Sequence, residues 1–275
     1  MNSTQKRAFA LGLVSLFAIS WQAAACDKMF CVRYEPGPEG TQVKLTASAG
    51  RPVSVKIESQ SSDLASSESL PKVVELKGGQ TITAIVVKNV TQPQDLKALK
   101  FSGRWGLLSV SQPSESFQLP FDHKNSYQLI QGFFGKGSHQ GRRLHALDFA
   151  MTEGTSVWAA RDGRVILIKD QFTQTTLSDA ERGQANQVWL LHEDGTISVY
   201  SHLRQKGIKV NVGDQVRAGQ FLAQSGMTGA AKIPHLHFDV SRPSGFESDR
   251  HTVPFKIRLP SGQTPEHLET SKFYP

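Results

Sequence analysis

The feature that most limits this chain is the spacing of its glycines. In the second half, Gly154, Gly163, Gly195, Gly213, Gly219 and Gly226 cut the sequence into short apolar runs, among them 165–168, 188–191 and 197–200. A helix must hold its 3.6-residue pattern for ten or more residues to bury a face, whereas a strand needs only about four to eight. Earlier, from about 41 to 110, the runs alternate. RPVSVKIE at 51–58 places Val53, Val55 and Ile57 on one face, and TITAIVV follows at 81–87, with polar turn-rich sequence at 59–69 and Gly78-Gly79 between them. No helical period persists, so the fold class is all-β. A small β-sandwich-like domain of open function is expected over 26–118. An antiparallel β domain is expected over 119–275, with its core at 131–242, and the turn-rich SQPSES at 111–116 marks the boundary. The polar stretch 171–187 is long for a hairpin loop, which makes it a candidate wall of a substrate groove.

Residues 1–25 read as an export signal. Lys6 and Arg7 precede an apolar run from 8 to 21, and Ala23-Ala24-Ala25 supplies a small-residue cleavage site. The run is short for a membrane span and no second one follows, so the mature chain is expected to lack an integral membrane segment and to act in the periplasm, envelope or medium. The two cysteines, Cys26 and Cys31, follow the cleavage site, and in an oxidising compartment they would pair. The alternative is a lipidated Cys26, but Ala23 stands where a lipoprotein signal has leucine. Neither lies in a CxxC motif, which argues against thiolate zinc ligation. The formal charge of +7 falls to +5 when Lys6 and Arg7 leave with the signal, and this mild positive balance suits approach to an anionic wall polymer. No basic stripe with interleaved aromatics is present, so nucleic acid is not an expected partner.

The chemistry concentrates in the histidines. In PHLHFDV at 234–240, His235 and His237 are two apart and share a strand face, with Leu236 turned to the core. His202 closes the run VYSHL, His139 sits in the glycine-flanked loop GSHQG, and Asp148 lies among apolar residues in HALDFA. A buried carboxylate needs a partner, and a metal ion is one that fits. The bland reading covers the rest. His123, His192, His251 and His267 read as surface groups, His145 as packed or groove-lining, Met151, Trp158 and Phe238 as core, and Arg161-Asp162-Gly163 as a turn.

In order along the chain, SHQG…ALDFAMTEGTSVWAARDGRV, VYSHL, VGDQVRAGQ and SGMTG…PHLHFDV resemble the lysostaphin and LytM-type zinc endopeptidases, over about 119–240. The resemblance implies a LytM-type β catalytic domain, one catalytic Zn2+ per chain, and peptidoglycan peptides as substrate. Carried onto this chain, it makes His237 and Asp148 metal ligands and His202 and His235 a non-ligand catalytic pair. The commonest pattern has histidine four residues before the aspartate, where this chain has Leu144. His145, three before it, would face away from Asp148 in an extended strand. A branch of the family carries SHxG in the preceding loop, which selects His139 as the third ligand over His145. Three ligands would leave a fourth zinc position open for water, with one of His202 and His235 taking its proton and the other stabilising the oxyanion. Two rivals remain: a catalytically inactive regulator of other wall hydrolases, and a carrier module suggested by VNVGDQVRAGQFLA at 210–223. The second lacks the exposed lysine tip that such modules need.

Overall fold

The computed structural model describes residues 25–175, 184–246 and 250–275; the export signal, apart from Ala25, and the middle of the 171–187 stretch lie outside the described residues. Among the described residues the helical elements are two short 3-10 turns, Pro93–Ala98 and Gly141–Arg143, and the rest of the regular structure is strand.

The first half contains two sheets. Ala25–Cys26, Phe30–Gly37, Gly40–Ala47 and Thr81–Val87 form one, and Lys72–Leu76, Val53–Ser59 and Leu99–Trp105 form the other. Gly40–Ala47 shows why: Thr41, Val43, Leu45 and Ala47 are buried while the residues between them are not, the period-2 pattern of a one-sided strand. Val53, Val55 and Ile57 are fully buried, and both sheets contribute to a single hydrophobic cluster. Cys26 and Cys31 are cross-strand partners joined by a disulfide.

The second half is built on one nine-stranded sheet. Its strands run Gln215–Val216, Gly163–Lys169, Gln187–Leu191, Ile197–Ser201, His235–Pro243, Ala146–Ala150, Tyr127–Gln131 and Phe273–Tyr274, with Arg250–Thr252 pairing to the end of His235–Pro243. All these pairings are antiparallel. The core beneath it includes Phe121, Phe149, Leu236 and Phe238. Phe117, fully buried in an edge-to-face cluster with Phe238 and Phe255, belongs to this core although it precedes the expected boundary at 119.

The halves meet through the outer face of the large sheet, where Trp105 packs against the cluster of Leu191, Ile197 and Val199. Gly195 forms the hairpin tip there, with a left-handed φ of +83°; a Cβ on it would lie 2.4 Å from Leu107 Cγ, so the linker can sit on the tip only because the side chain is missing. Arg161 is more than a turn residue. Nine-tenths buried, it pairs with Asp194 at 2.8 Å and lies over the Phe117 ring.

Candidate metal centre

His235–Pro243 is interior to the sheet, between Ile197–Ser201 and Ala146–Ala150. Register places Asp148 opposite His237 on one side and Ser201 opposite His237 on the other. Directly opposed residues share a face, so the Asp148 and His237 side chains meet, and His235 follows on the same face by alternation. His237 Nδ1 lies 2.8 Å from Asp148 Oδ1, and His235 Nε2 lies 3.9 Å from the same oxygen.

His202 arrives differently. It follows the last residue of its strand, and regular alternation would turn it away from the face that Ser201 shares with His237. Its left-handed φ of +63° redirects the chain instead. The imidazole then lies 4.5 Å from that of His235 and 6.0 Å from that of His237, centroid to centroid. A bulky residue in this region carries strain that the surrounding structure must hold. Here the His202 Nδ1 proton is donated to the Thr228 carbonyl at 2.7 Å.

His139 comes from the loop after Tyr127–Gln131 and is fully buried. Its Nδ1–H donates to the Gly132 carbonyl at 2.8 Å, which leaves Nε2 as a bare lone pair. That nitrogen lies 3.0 Å from Asp148 Oδ2 yet makes no hydrogen bond. A lone pair facing a carboxylate oxygen is unfavourable unless a proton or a cation lies between them. Donor atoms of His139, Asp148 and His237 all lie within 4.8 Å of one another. Two imidazoles and a carboxylate are a borderline-soft donor set of the kind zinc takes. The arrangement therefore fits a divalent cation. His145 is not in this group. Its backbone N–H binds Thr252 Oγ1, and its ring packs edge-on against Phe133 and Phe134.

Three further residues brace the centre. Gln131, opposite Asp148 in register, donates through Nε2 to Asp148 Oδ2 and to Ser138 Oγ and accepts the Gly137 N–H, stitching the His139 loop to the carboxylate. Asp239, fully buried, accepts from His237 Nε2 at 3.1 Å, and Arg250 donates to its other oxygen. Asp239 had a legible signal, since HLHFD places a third polar residue on the His235–His237 face. Gln131 and Arg250 had none.

The local field follows from these contacts. Burial pushes the Asp148 carboxyl up, but the imidazoles packed against it, above all the hydrogen-bonded His237, outweigh burial and hold the group well below the usual carboxylate range. Burial also opposes charge on His237, whose hydrogen bonds to Asp148 and Asp239 nevertheless raise it to about 9. Burial, with the neighbouring His235 and His237, lowers His202 to about 3, and burial lowers His235. A groove of about 450 Å3 opens onto the centre, lined by Asp148, His202, His235 and His237 with Arg143 and Lys232.

Residues 142–250 match the sequence model of Peptidase family M23. The chain carries an M23 peptidase domain. The matched span takes in Asp148, His202, His235 and His237 and begins after His139. The chain is similar to lysostaphin of Staphylococcus simulans, 32% identical over 124 residues, covering 42% of this chain and 23% of lysostaphin. It is also similar to the peptidoglycan DD-endopeptidase ShyC of Vibrio cholerae, 27% identical over 188 residues, covering 68% of this chain and 37% of ShyC. The murein hydrolase activator NlpD of Salmonella typhimurium is 29% identical over 133 residues, covering 48% of this chain and 30% of NlpD. The chain thus spans well under half the length of these relatives. Among the described residues no helix is long and apolar enough to cross a membrane.

His192 does not lie on the surface as its polar sequence neighbours suggest. It is fully buried, with Nδ1–H donated to the Asp162 carbonyl and Nε2 bonded to Ser198 Oγ.

Proposed function

We propose that this M23 chain is a zinc-dependent endopeptidase acting outside the cytoplasm on the peptide cross-links of peptidoglycan. The observation that carries the reading is the His139 Nε2 lone pair set against Asp148 and His237, two residues that line a groove together with His202 and His235. His139, Asp148 and His237 would hold the ion. When bound there, zinc supplies Lewis acidity and lowers the pKa of water to roughly 7.

The remaining chemistry belongs to His202 and His235. Each donates Nδ1–H to a carbonyl, Thr228 for His202 and Ile233 for His235 at 2.8 Å, so each presents Nε2 as a proton acceptor. Neither ring can donate through Nε2 until it has taken up a proton. One ring accepts the proton of the attacking water, and as imidazolium it can then stabilise the oxyanion or protonate the leaving amine. The depressed pKa of each ring keeps it neutral at pH 7, with Nε2 unprotonated. Arg143 and Lys232 also line the groove, which suits approach of an anionic polymer. Glycan cleavage uses a carboxylate pair flanking the bond, and Asp148 is the sole acid among the described groove-lining residues.

The similarity to NlpD raises an alternative, an activator that cuts nothing. Digestion of defined wall fragments with mass spectrometry of the products separates the two. New amino termini, lost on chelation and restored by zinc, are expected. Intact fragments with bound zinc would favour the activator, and new reducing sugar ends without new amines would overturn the peptidase reading.

A further inference from the structure

We propose that Asp239, shared between His237 and Arg250, is a positioning residue that decides which nitrogen of His237 carries the ring proton, and so leaves Nδ1 unprotonated where it faces the centre. The inference rests on the reading of His237 as a ligand. His237 lies between two carboxylates, with Nδ1 toward Asp148 and Nε2 toward Asp239. To act as a ligand through Nδ1 the ring must carry its proton on Nε2. A carboxylate can only accept, so Asp239 holds that proton in place.

The arrangement has no slack. Asp239 has no exposed surface, and its two oxygens serve two donors, Oδ2 for His237 Nε2 and Oδ1 for Arg250. Arg250 is itself held by Ser241 Oγ at 3.1 Å and lies over the Trp189 ring at 5.1 Å. It also lines the groove, so one residue joins the substrate surface to the support of a metal ligand.

This geometry makes an unusual demand on Asp239→Asn. An asparagine has one acceptor where two donors wait. Arg250, permanently charged and anchored, takes the oxygen, and the amide NH2 is turned toward His237 Nε2. That nitrogen must then become the acceptor, which moves the ring proton to Nδ1 and points N–H at the centre. Removing the competitor should reverse this. In Asp239→Asn with Arg250→Met, the asparagine oxygen is free to accept from His237 Nε2.

The test measures zinc affinity of the full chain by competition with a chelator, together with the ring nitrogen resonances of His237. Asp239→Asn is expected to weaken zinc by about 10–100-fold and to shift the His237 ring nitrogens toward the opposite tautomer. Adding Arg250→Met should recover a large part of that loss, whereas two merely structural lesions would compound. A folded Asp239→Asn protein with unchanged zinc affinity and unchanged ring resonances overturns the proposal, and so does a double variant weaker than the single one. If the single variant does not fold, the double variant and Arg250→Met alone carry the test: both should keep zinc within about tenfold of the parent, with Nε2 protonated, and the opposite tautomer in either refutes the assignment. Failure of the parent itself to bind zinc would reject the ligand reading beneath the proposal, a result distinct from these.

Discussion

Lowering the pH from 7 to 5 should cost the folded protein about 2 kcal/mol through His192 alone. The ring has no exposed surface. Its Nδ1–H is committed to the Asp162 carbonyl at 2.7 Å, so Nε2 accepts the Ser198 hydroxyl at 2.9 Å. The Tyr200 hydroxyl stands 3.4 Å from Ser198 Oγ and accepts the Ala160 N–H. Protonating Nε2 would force the Ser198 hydroxyl to turn from donor to acceptor inside the core. Burial above all, and then the Arg161 charge, lowers His192 from an ordinary value of 6.5 to about 3. Below pH 6.5 the unfolded chain binds a proton that the folded one refuses, so stability falls as pH drops, and the loss is complete only below about 3. At pH 5 the span from 6.5 corresponds to about 2 kcal/mol at 1.36 kcal/mol per unit. The assay is urea unfolding at pH 7 and pH 5, with metal chelated, for the parent and His192→Gln. Other histidines titrate in both proteins and cancel in the difference. The parent should lose about 2 kcal/mol more than the variant over that range. Equal losses, or a His192 ring resonance that titrates near pH 6, would refute the reasoning.

His139→Ala should remove most of the zinc while His145→Ala keeps it, as read by metal content after dialysis; the reverse would reassign the ligand. His202→Ala and His235→Ala should each lower turnover of a wall peptide by about 10²–10⁴-fold with zinc retained, and near-parental rates in either would remove that ring from the mechanism. A fragment beginning at 111 should fold and bind zinc without the first half, whereas one beginning at 119 lacks the buried Phe117 and should be less stable by about 3–5 kcal/mol, measured by denaturant midpoint. Equal stability of the two would show that Phe117 packs there without consequence.

Period-2 alternation is a local property, and what depended on it was readable from the sequence. Val53, Val55 and Ile57 as a buried face, Leu236 as core, and His235 with His237 on one face all follow from side chains alternating along a single strand. Asp239 belongs to the same category, one alternation further along PHLHFDV, although only its neighbours Arg250 and His237 reveal what it does. Choices between distant segments were not readable in that way. Alternation turns His145 away from Asp148, but nothing local says that the His139 loop folds down onto it. His202 lies on the site only through a left-handed residue that alternation cannot anticipate. His192, set in a stretch as polar as HEDGT, reads as exposed until the sheet and Phe117 close over it. In each of these cases the deciding contact is made by a strand or loop far away in sequence. Burial and pairing across a sheet are set by register between segments, and no single segment carries that information.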